Sequence, residues 1–253
     1  MDYINNLREI VSTLPQPKVF NARINFMQHV VEALKAGELP KYRFPQFELT
    51  TKDIERYLQS NMILDQDKFQ QMVDTLQLFD KQLSEFRTYL QSRFGYWATI
   101  TQSLMKEWSL EFPDGSYLEL MGGNGYITRG FNDNGIESVC TDNLSWSNQS
   151  QTGHQMMSKV EKMDALSALD IYGPEVNSVV LAWSPDRNEI DYEILQKIRK
   201  TNLNFFVIGE KYGATNSRRF WENAEEVNDE RINRLNDVYS TYDLVHDKIF
   251  LIH

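Results

Sequence analysis

The stretch Tyr117-Leu-Glu-Leu-Met-Gly-Gly-Asn-Gly-Tyr-Ile-Thr128 decides the fold of this chain. It begins as an apolar run typical of a buried strand, continues through three glycines, and ends as the start of a helix. Gly122, Gly123 and Gly125 leave the backbone without side chains where the strand ends, so a ligand can approach the main chain closely. The stretch therefore predicts a strand, a ligand-binding turn and a helix.

Two acidic residues flank this turn. Glu119 lies in the strand before the glycines, and Asp142 follows the next strand-like run, Glu137-Ser-Val-Cys-Thr141. In open α/β sheets, ligands bind beyond the carboxyl ends of the strands, where the strand order reverses. Asp142 follows Gly123 by about twenty positions, the spacing of an acid that binds ribose hydroxyls. These residues favour a nucleoside-type cofactor, although Asp142 also suits a helix cap and Glu119 a solvent-facing strand end.

From residue 116 onward, short β-rich runs alternate with helical runs. The predicted strands cover 117–121, 138–141, 160–163, 178–183, 205–209 and 248–252. The predicted helices cover 126–134, 165–171, 192–200 and 217–227, and we interpret the acidic stretch 222–230 as an exposed helix face. Alternation of this kind predicts an α/β fold with a mostly parallel sheet and helices on both of its faces.

The first 110 residues lack glycine-rich turns and clear strands. Helices are predicted over 2–13, 19–36, 51–58, 65–90 and 97–109. The fourth of these carries an apolar seam with spacings of three and four, formed by Phe69, Met72, Leu76, Phe79, Leu83, Phe86 and Leu90. The seam suits a core between helices or a dimerisation helix. We therefore divide the chain into a helical region, 1–110, that covers a pocket or forms a homodimer, and a cofactor-binding domain, 111–253.

Composition excludes several classes of function. The 253 residues carry a net charge of −10, which argues against general affinity for nucleic-acid backbones or anionic membranes. Cys140 is the single cysteine and fits a reducing compartment. There is no basic start followed by an apolar run, and apolar runs are too short to span a bilayer, so we expect a cytoplasmic protein. The four histidines show no ligand spacing, so we expect no metal site.

Two cofactors compete for the glycine turn. A dinucleotide fingerprint needs a third small residue after Gly123-Asn-Gly125, but Tyr126-Ile-Thr128 follows. This weakens the hypothesis of a nicotinamide-dependent oxidoreductase without removing it. S-adenosylmethionine has no phosphates and carries a sulfonium, so an acid such as Glu119 near its cationic end is favourable.

The spacing Glu119-x-x-x-Gly123-x-Gly125 resembles the first motif of class I S-adenosylmethionine-dependent methyltransferases, with Met121 at the usual first glycine. The resemblance covers about residues 94–253. Cys140-Thr-Asp142-Asn143 is similar to the second-strand motif and Lys162-Met-Asp164-Ala165 to the third, while Leu181-Ala-Trp183-Ser-Pro185 lies where the fourth ends the central strand. Phe94-Gly-Tyr-Trp97 and Val207–Thr215 are similar to segments of a poorly characterised group of methyltransferase-like Rossmann proteins.

This resemblance implies a Rossmann-like sheet that binds S-adenosylmethionine. It implies that Asp142 binds the ribose hydroxyls and that Asp164 contacts the adenine amino group, although Asp164 also suits a helix cap. The implied cofactor-binding residues are Glu119, Met121, Gly122, Gly123, Asn124, Gly125, Asp142, Asn143, Met163, Asp164, Ala165 and Trp183.

The acceptor side departs from the family. Amino-group methyltransferases often have Asn, Asp or Ser followed by Pro-Pro-aromatic at the fourth strand, where this chain has Ala182-Trp-Ser-Pro-Asp186. The candidate residues near the acceptor are Trp183, Ser184, Asp186 and Glu210. Our main hypothesis is a methyltransferase acting on an unidentified, small-molecule acceptor. A non-catalytic, degenerate methyltransferase-like interaction protein is the second hypothesis, and a nicotinamide-dependent oxidoreductase is the third.

Overall fold

The computed structural model describes residues 2–62, 65–148 and 153–253, and it has an α/β fold with a six-stranded, mostly parallel sheet. The strands are β1 (Tyr117–Leu120), β2 (Ser138–Asp142), β3 (Val160–Lys162), β4 (Ser178–Ala182), β5 (Asn204–Gly209) and β6 (Lys248–Ile252). Their order is β3-β2-β1-β4-β5-β6, and β6 alone of these strands runs antiparallel to its neighbour. The six predicted strands are confirmed, with small shifts at their ends.

The strand order reverses at β1. The chain passes from β1 to β2 and β3 on one side and then returns to β4 on the other side. Leu120, the last residue of β1, is the partner of Thr141 in β2 and of Leu181 in β4. The carboxyl ends of β1, β2 and β4 therefore meet at one edge of the sheet.

Apolar side chains of alternate strand residues enter two separate cores. Leu118, Val179 and Phe205 lie in one core, while Tyr117 and Val180 lie in the other. The helices around the sheet are α6 (Gln102–Glu111), α7 (Tyr126–Asp133), α8 (Ala165–Tyr172), α9 (Ile190–Ile198), α10 (Arg218–Asn223) and α11 (Glu230–Val238). Side chains of α8, α9 and α10 fill the first core, and side chains of α6, α7 and α11 fill the second.

Helices also occupy the chain before the sheet. They are α1 (Tyr3–Ser12), α2 (Asn21–Lys35), α3 (Thr51–Ser60), α4 (Gln66–Ser84) and α5 (Phe86–Phe94). Their buried residues, such as Leu7, Ile24 and Phe79, join the same core as Val180 of the sheet. Among the described residues, no helix combines the length and apolarity needed to cross a membrane. The domain boundary at residue 110 stays a prediction.

The apolar seam packs inside the chain, although not on one helix. The predicted helix over 65–90 is divided at Glu85 into α4 and α5. Met72, Leu76, Phe79, Leu83, Phe86 and Leu90 are buried, and Phe69 packs against the same core. The interpretation of the seam as core is confirmed, and the homodimer stays a prediction.

Two further helix predictions were wrong in part. The helix predicted over 97–109 begins at Gln102, because the Thr101 side chain accepts the Leu104 amide and caps it there. The helix predicted over 217–227 ends at Asn223, and α11 follows it as a separate helix. The acidic stretch 222–230 is therefore not one exposed helix face.

The segment after α10 pairs with the outer edge of β6. Val227 donates its amide to the carbonyl of Leu251, and Glu225 exchanges two backbone hydrogen bonds with His253. The Asn236 amide side chain donates to the carbonyl of Ile249 and accepts the amide of the same residue. This segment therefore pairs with β6 and does not continue the helix. Backbone amides and carbonyls of a strand are costly when they are buried without partners.

Helix α7 packs closely on α6 at Gly130, so a larger residue there should destabilise the fold. A Cβ built on Gly130 would lie 2.2 Å from Cγ of Met105. We expect Gly130→Ala to lower the free energy of unfolding by about 1–3 kcal/mol through overpacking. This loss outweighs the gain of about 0.5–1 kcal/mol that alanine brings to a helix interior. Urea denaturation of the purified protein measures the difference.

Met105→Ala provides the control, because it removes Cγ and Cε of Met105, two of the three atoms that the new methyl group would meet. The double variant should be more stable than the sum of the two single losses predicts. Strictly additive losses would show that the contact between residues 105 and 130 is not the cause.

Candidate functional site

Three neighbouring strands end in residues with an unusual backbone. Met121 follows β1, Leu144 lies just beyond β2, and Trp183 follows β4, with φ values of 53°, 55° and 54°. The left-handed conformation costs a residue other than glycine about 1–2 kcal/mol. Such residues cluster at functional sites, where the surrounding structure holds them in place. All three lie at the edge where the strand order reverses, which marks this edge as the candidate site.

The glycine turn lies in the middle of this edge. Gly122 donates its amide to the carbonyl of Thr141, and a Cβ on Gly122 would lie 2.4 Å from Sγ of Cys140. Gly123 has φ +57°, and a Cβ there would meet nothing within 4 Å. Packing against Cys140 therefore leaves no room for a side chain at Gly122, whereas Gly123 faces open space at the surface of the turn.

Asp142 connects the glycine turn to the end of β2. Its Oδ2 accepts the amide of Gly123 at 2.9 Å, and its Oδ1 accepts the Leu144 amide at 2.6 Å and the Trp146 indole N–H at 3.0 Å. The carboxylate is buried at the site, yet it has about four acceptor positions, so one remains on Oδ2. Asp142 therefore organises the turn and keeps one acceptor position on Oδ2 that no described residue uses.

Glu119 lies under the turn and not at the surface. It is 3% exposed, so a solvent-facing role is wrong. Its Oε2 accepts the backbone amide of Thr128 at 2.8 Å, in the first turn of α7. Burial raises the pKa of the Glu119 carboxyl to about 6, although the hydrogen bonds from Thr128 oppose this rise. The N-terminus of α7 thus already holds a carboxylate of the chain.

Residues after β2 and β3 join the same edge through the backbone. Met163 donates its amide to the carbonyl of Asp142 at 3.0 Å. Asp164 caps α8 by accepting the amide of Ser167 at 3.0 Å, as one interpretation of the sequence predicted, and Ala165 begins that helix. Asn143 accepts the amide of Ser145 in a tight turn. The contact of Asp164 with adenine stays a prediction.

One half of the glycine turn is covered by the chain itself. The buried Asn124 side chain donates to the carbonyls of Phe94 and Gly153, at 2.8 Å each. The backbone carbonyl of Asn124 accepts the amide of Met157, and a Cβ on Gly125 would lie 2.0 Å from Oγ of Ser158. The sequence predicted neither the contact with Phe94 nor the role of residues 153–158.

Trp183 contacts a buried charged network that the sequence did not reveal. Its indole N–H donates to Oδ2 of Asp247 at 2.8 Å, and the Arg87 guanidinium lies 4.9 Å from its ring centroid. Arg87 also pairs with Asp243, with Nη2 3.0 Å from Oδ1, and burial raises the pKa of Asp247. The ring of Trp97 lies 5.9 Å from that of Trp183. The network fixes a partly exposed aromatic pair beside the glycine turn.

The other three acceptor candidates lie in the loops after β4 and β5. Ser184 is buried, and its carbonyl accepts the amide of Asn216 at 2.7 Å. The Glu210 carboxylate accepts the amides of Ala214 and His246, so it is used to hold its own loop. Asp186 is exposed at the rim of a separate cavity. The structure therefore commits Glu210 to backbone contacts and leaves Asp186 exposed, while Ser184 directly follows Trp183 and is buried.

Comparison of the sequence with protein-family models and with curated proteins gave no match. Over residues 2–62, 65–148 and 153–253, no three His, Cys, Asp or Glu side chains are grouped so that they hold a metal ion.

Glu119 predicts a pH dependence of stability. Its pKa is about 6 in the folded chain and near the ordinary 4.5 in the unfolded chain. Between these values the folded chain keeps a proton that the unfolded chain has lost. The free energy of unfolding should therefore fall as the pH rises through this window, by about 2 kcal/mol in total. Urea denaturation at a series of pH values measures this change.

Glu119→Gln should lack this component, so the stability of the wild type relative to the variant should fall between pH 4.5 and pH 7. Glu111→Gln is the matched control, because the ion pair with Arg234 lowers the pKa of Glu111. There the wild type should gain stability relative to the variant as the pH rises. A difference for Glu119→Gln that does not change with pH would contradict the assignment.

Proposed function

We propose that this chain is an S-adenosylmethionine-dependent methyltransferase that acts on an unidentified, small-molecule acceptor. Its sheet is Rossmann-like, and the all-helical N-terminal region covers the pocket. The observation that carries the proposal is the edge where Met121, Leu144 and Trp183 adopt left-handed conformations around the open face of Gly123 and the carboxylate of Asp142. Ligands of open α/β sheets bind at this reversal of strand order.

Glu119 supports S-adenosylmethionine over a dinucleotide. In dinucleotide-binding folds, the pyrophosphate binds the free amides at the N-terminus of the helix after the first strand. Here the Glu119 carboxylate accepts the Thr128 amide in that helix, α7. A pyrophosphate would find this amide occupied and a negative charge beside it. A phosphate-free, cationic cofactor meets neither obstacle.

The residues at the edge fit this cofactor. When bound, S-adenosylmethionine supplies a methyl group on a sulfonium sulfur, which is a good leaving group. Asp142 has one free acceptor position for a ribose hydroxyl, and Gly123 lets the cofactor approach the backbone. Trp183 and Trp97 offer an aromatic wall on the β4 side. These groups orient donor and acceptor, which is the main requirement of an in-line displacement.

A non-catalytic, methyltransferase-like binding protein is the second candidate. Residues 153–158 cover Asn124 and Gly125, and Asp142 already accepts three hydrogen bonds from the chain. Both observations favour a glycine turn that stabilises the fold and does not support catalysis. The nicotinamide-dependent oxidoreductase is disfavoured by Glu119 and by the missing third small residue.

Calorimetric titration with S-adenosylmethionine, S-adenosylhomocysteine and NADH tests the proposal. We expect heat of binding with the first two and none with NADH. Asp142→Asn should weaken binding about tenfold or more, because a hydrogen bond to a charged group contributes about 1.5–3 kcal/mol. Folded protein that binds neither of the first two compounds would refute the proposal.

Asp67→Asn is the matched control, because Asp67 lies exposed on α4, outside the residues of the site. It should bind S-adenosylhomocysteine like the wild type, and thermal unfolding should confirm that both variants fold. An unchanged affinity in Asp142→Asn would overturn the ribose assignment. Formation of S-adenosylhomocysteine with a small-molecule pool supports the enzyme, whereas binding without it supports the second candidate.

A further inference from the structure

A cavity lies beyond the ends of β4 and β5. It has a volume of about 520 Å³, which is within the range of small-molecule pockets. Tyr212 and Asn216 line it, and Asp186, Arg218 and Glu222 are among its other lining residues. None of these groups takes part in the glycine-turn edge described above. The proposal that follows therefore goes beyond the methyl-donor site and does not rest on it.

Two lining residues carry the same backbone signature as the first site. Tyr212 has φ +59° and Asn216 has φ +61°. Left-handed conformations in residues other than glycine persist only where neighbouring contacts enforce them. Two of them occur here within one loop of β5, and both face one cavity. At Tyr212 the loop is therefore held in a shape that the residue does not favour, whereas asparagine tolerates this conformation at position 216.

Hydrogen bonds fix this loop from several sides. The Thr215 hydroxyl accepts the amide of Glu210 at 2.7 Å, and the Thr215 carbonyl accepts the Trp221 indole N–H at 3.1 Å. Asn216 donates its amide to the carbonyl of Ser184 at 2.7 Å. The loop is thus preorganised before any ligand binds, which lowers the entropic cost of binding.

The Asn216 side chain offers an unused hydrogen-bond donor. It is 3% exposed, and its Oδ1 accepts the Thr215 hydroxyl at 3.0 Å. Since that hydroxyl also accepts the Glu210 amide, its proton goes to Asn216, and the orientation of the amide follows. The amide Nδ2 has no hydrogen-bond partner among the residues that the structure describes. A buried donor without a partner is costly, so a ligand acceptor at this position would be stabilised.

The rest of the cavity restricts the ligand. The Tyr212 ring is 62% exposed and offers a flat apolar surface. Arg218 is paired with Glu222 at 2.7 Å, and the Asp186 carboxylate lies 3.9 Å from the Arg187 guanidinium. Among the described lining residues no cation is left unpaired to attract an anion. We propose that this cavity binds a planar heteroaromatic molecule, neutral or cationic, whose ring nitrogen or carbonyl oxygen accepts a hydrogen bond from Asn216 and whose ring lies on Tyr212.

Quinoline and quinaldate are matched probes, because they share one ring system and quinaldate adds a carboxylate. Titration of the full chain is followed by NMR on the backbone amide of Gly213 and the side-chain amide of Asn216. We expect quinoline to shift both signals with a dissociation constant of about 1 mM, ordinary for a fragment of this size, and quinaldate to bind more weakly. Saturation with S-adenosylhomocysteine should leave these shifts unchanged.

Asn216→Asp tests the donor, because aspartate tolerates the left-handed backbone and keeps the oxygen that accepts from Thr215. It should weaken quinoline binding about tenfold. Tyr212→Gly should weaken it about fivefold, whereas Tyr212→Phe, which keeps the ring, should bind like the wild type.

Any one of three results would overturn the proposal: no shift at Gly213 and Asn216 with quinoline, equal binding of quinaldate, or unchanged binding in Asn216→Asp. Because quinoline is not a methyl donor, these outcomes are independent of the calorimetry with S-adenosylmethionine. Failure here leaves the proposed methyltransferase standing, and its failure leaves this cavity standing.

Discussion

The hydrogen bond between the Glu119 carboxylate and the first turn of α7 sets the geometry of the whole glycine turn. It fixes the helix to β1. The Glu119 side chain and the Cys140 thiol fill the space below the turn, and a Cβ on Gly122 would meet both. Burial also raises the pKa of that thiol, so Cys140 serves as packing and not as a nucleophile. The buried Glu119 carboxylate thus helps to determine that glycine fits at position 122, and its negative charge disfavours anions at the turn.

Charged residues that are distant in the sequence position the Trp183 side of the candidate site. Arg87 comes from a helix before the sheet, while Asp243 and Asp247 come from the loop before β6. Their pairing lies against the Trp183 ring and stabilises a tryptophan in a backbone conformation that it does not favour. The helices before the sheet are therefore part of the site, because they supply the cation on which the orientation of Trp183 depends.

The sequence predicted what local patterns encode. The six strands follow from apolar runs bounded by turn residues, and the cap of α8 follows from Asp164 before a helical pattern. The helix break at Glu85 was missed because the apolar spacing continues across it. The Arg87 network was missed because its members are distant in the sequence and carry no motif. The pairing of 225–227 with β6 was missed for the same reason, since only the sheet brings them together.

That pairing has a consequence for how the molecule behaves beside copies of itself. An outer strand normally presents a row of unsatisfied amides and carbonyls that recruits strands from other chains. Along β6 both groups of Ile249 are already occupied by the Asn236 side chain, and the Leu251 carbonyl and both groups of His253 by backbone of the chain. The side-chain amide of Asn236 makes the two hydrogen bonds with Ile249 that a residue of a neighbouring strand would make. The sheet thereby terminates on this side, and fewer free backbone groups remain along β6 to recruit a strand from another chain.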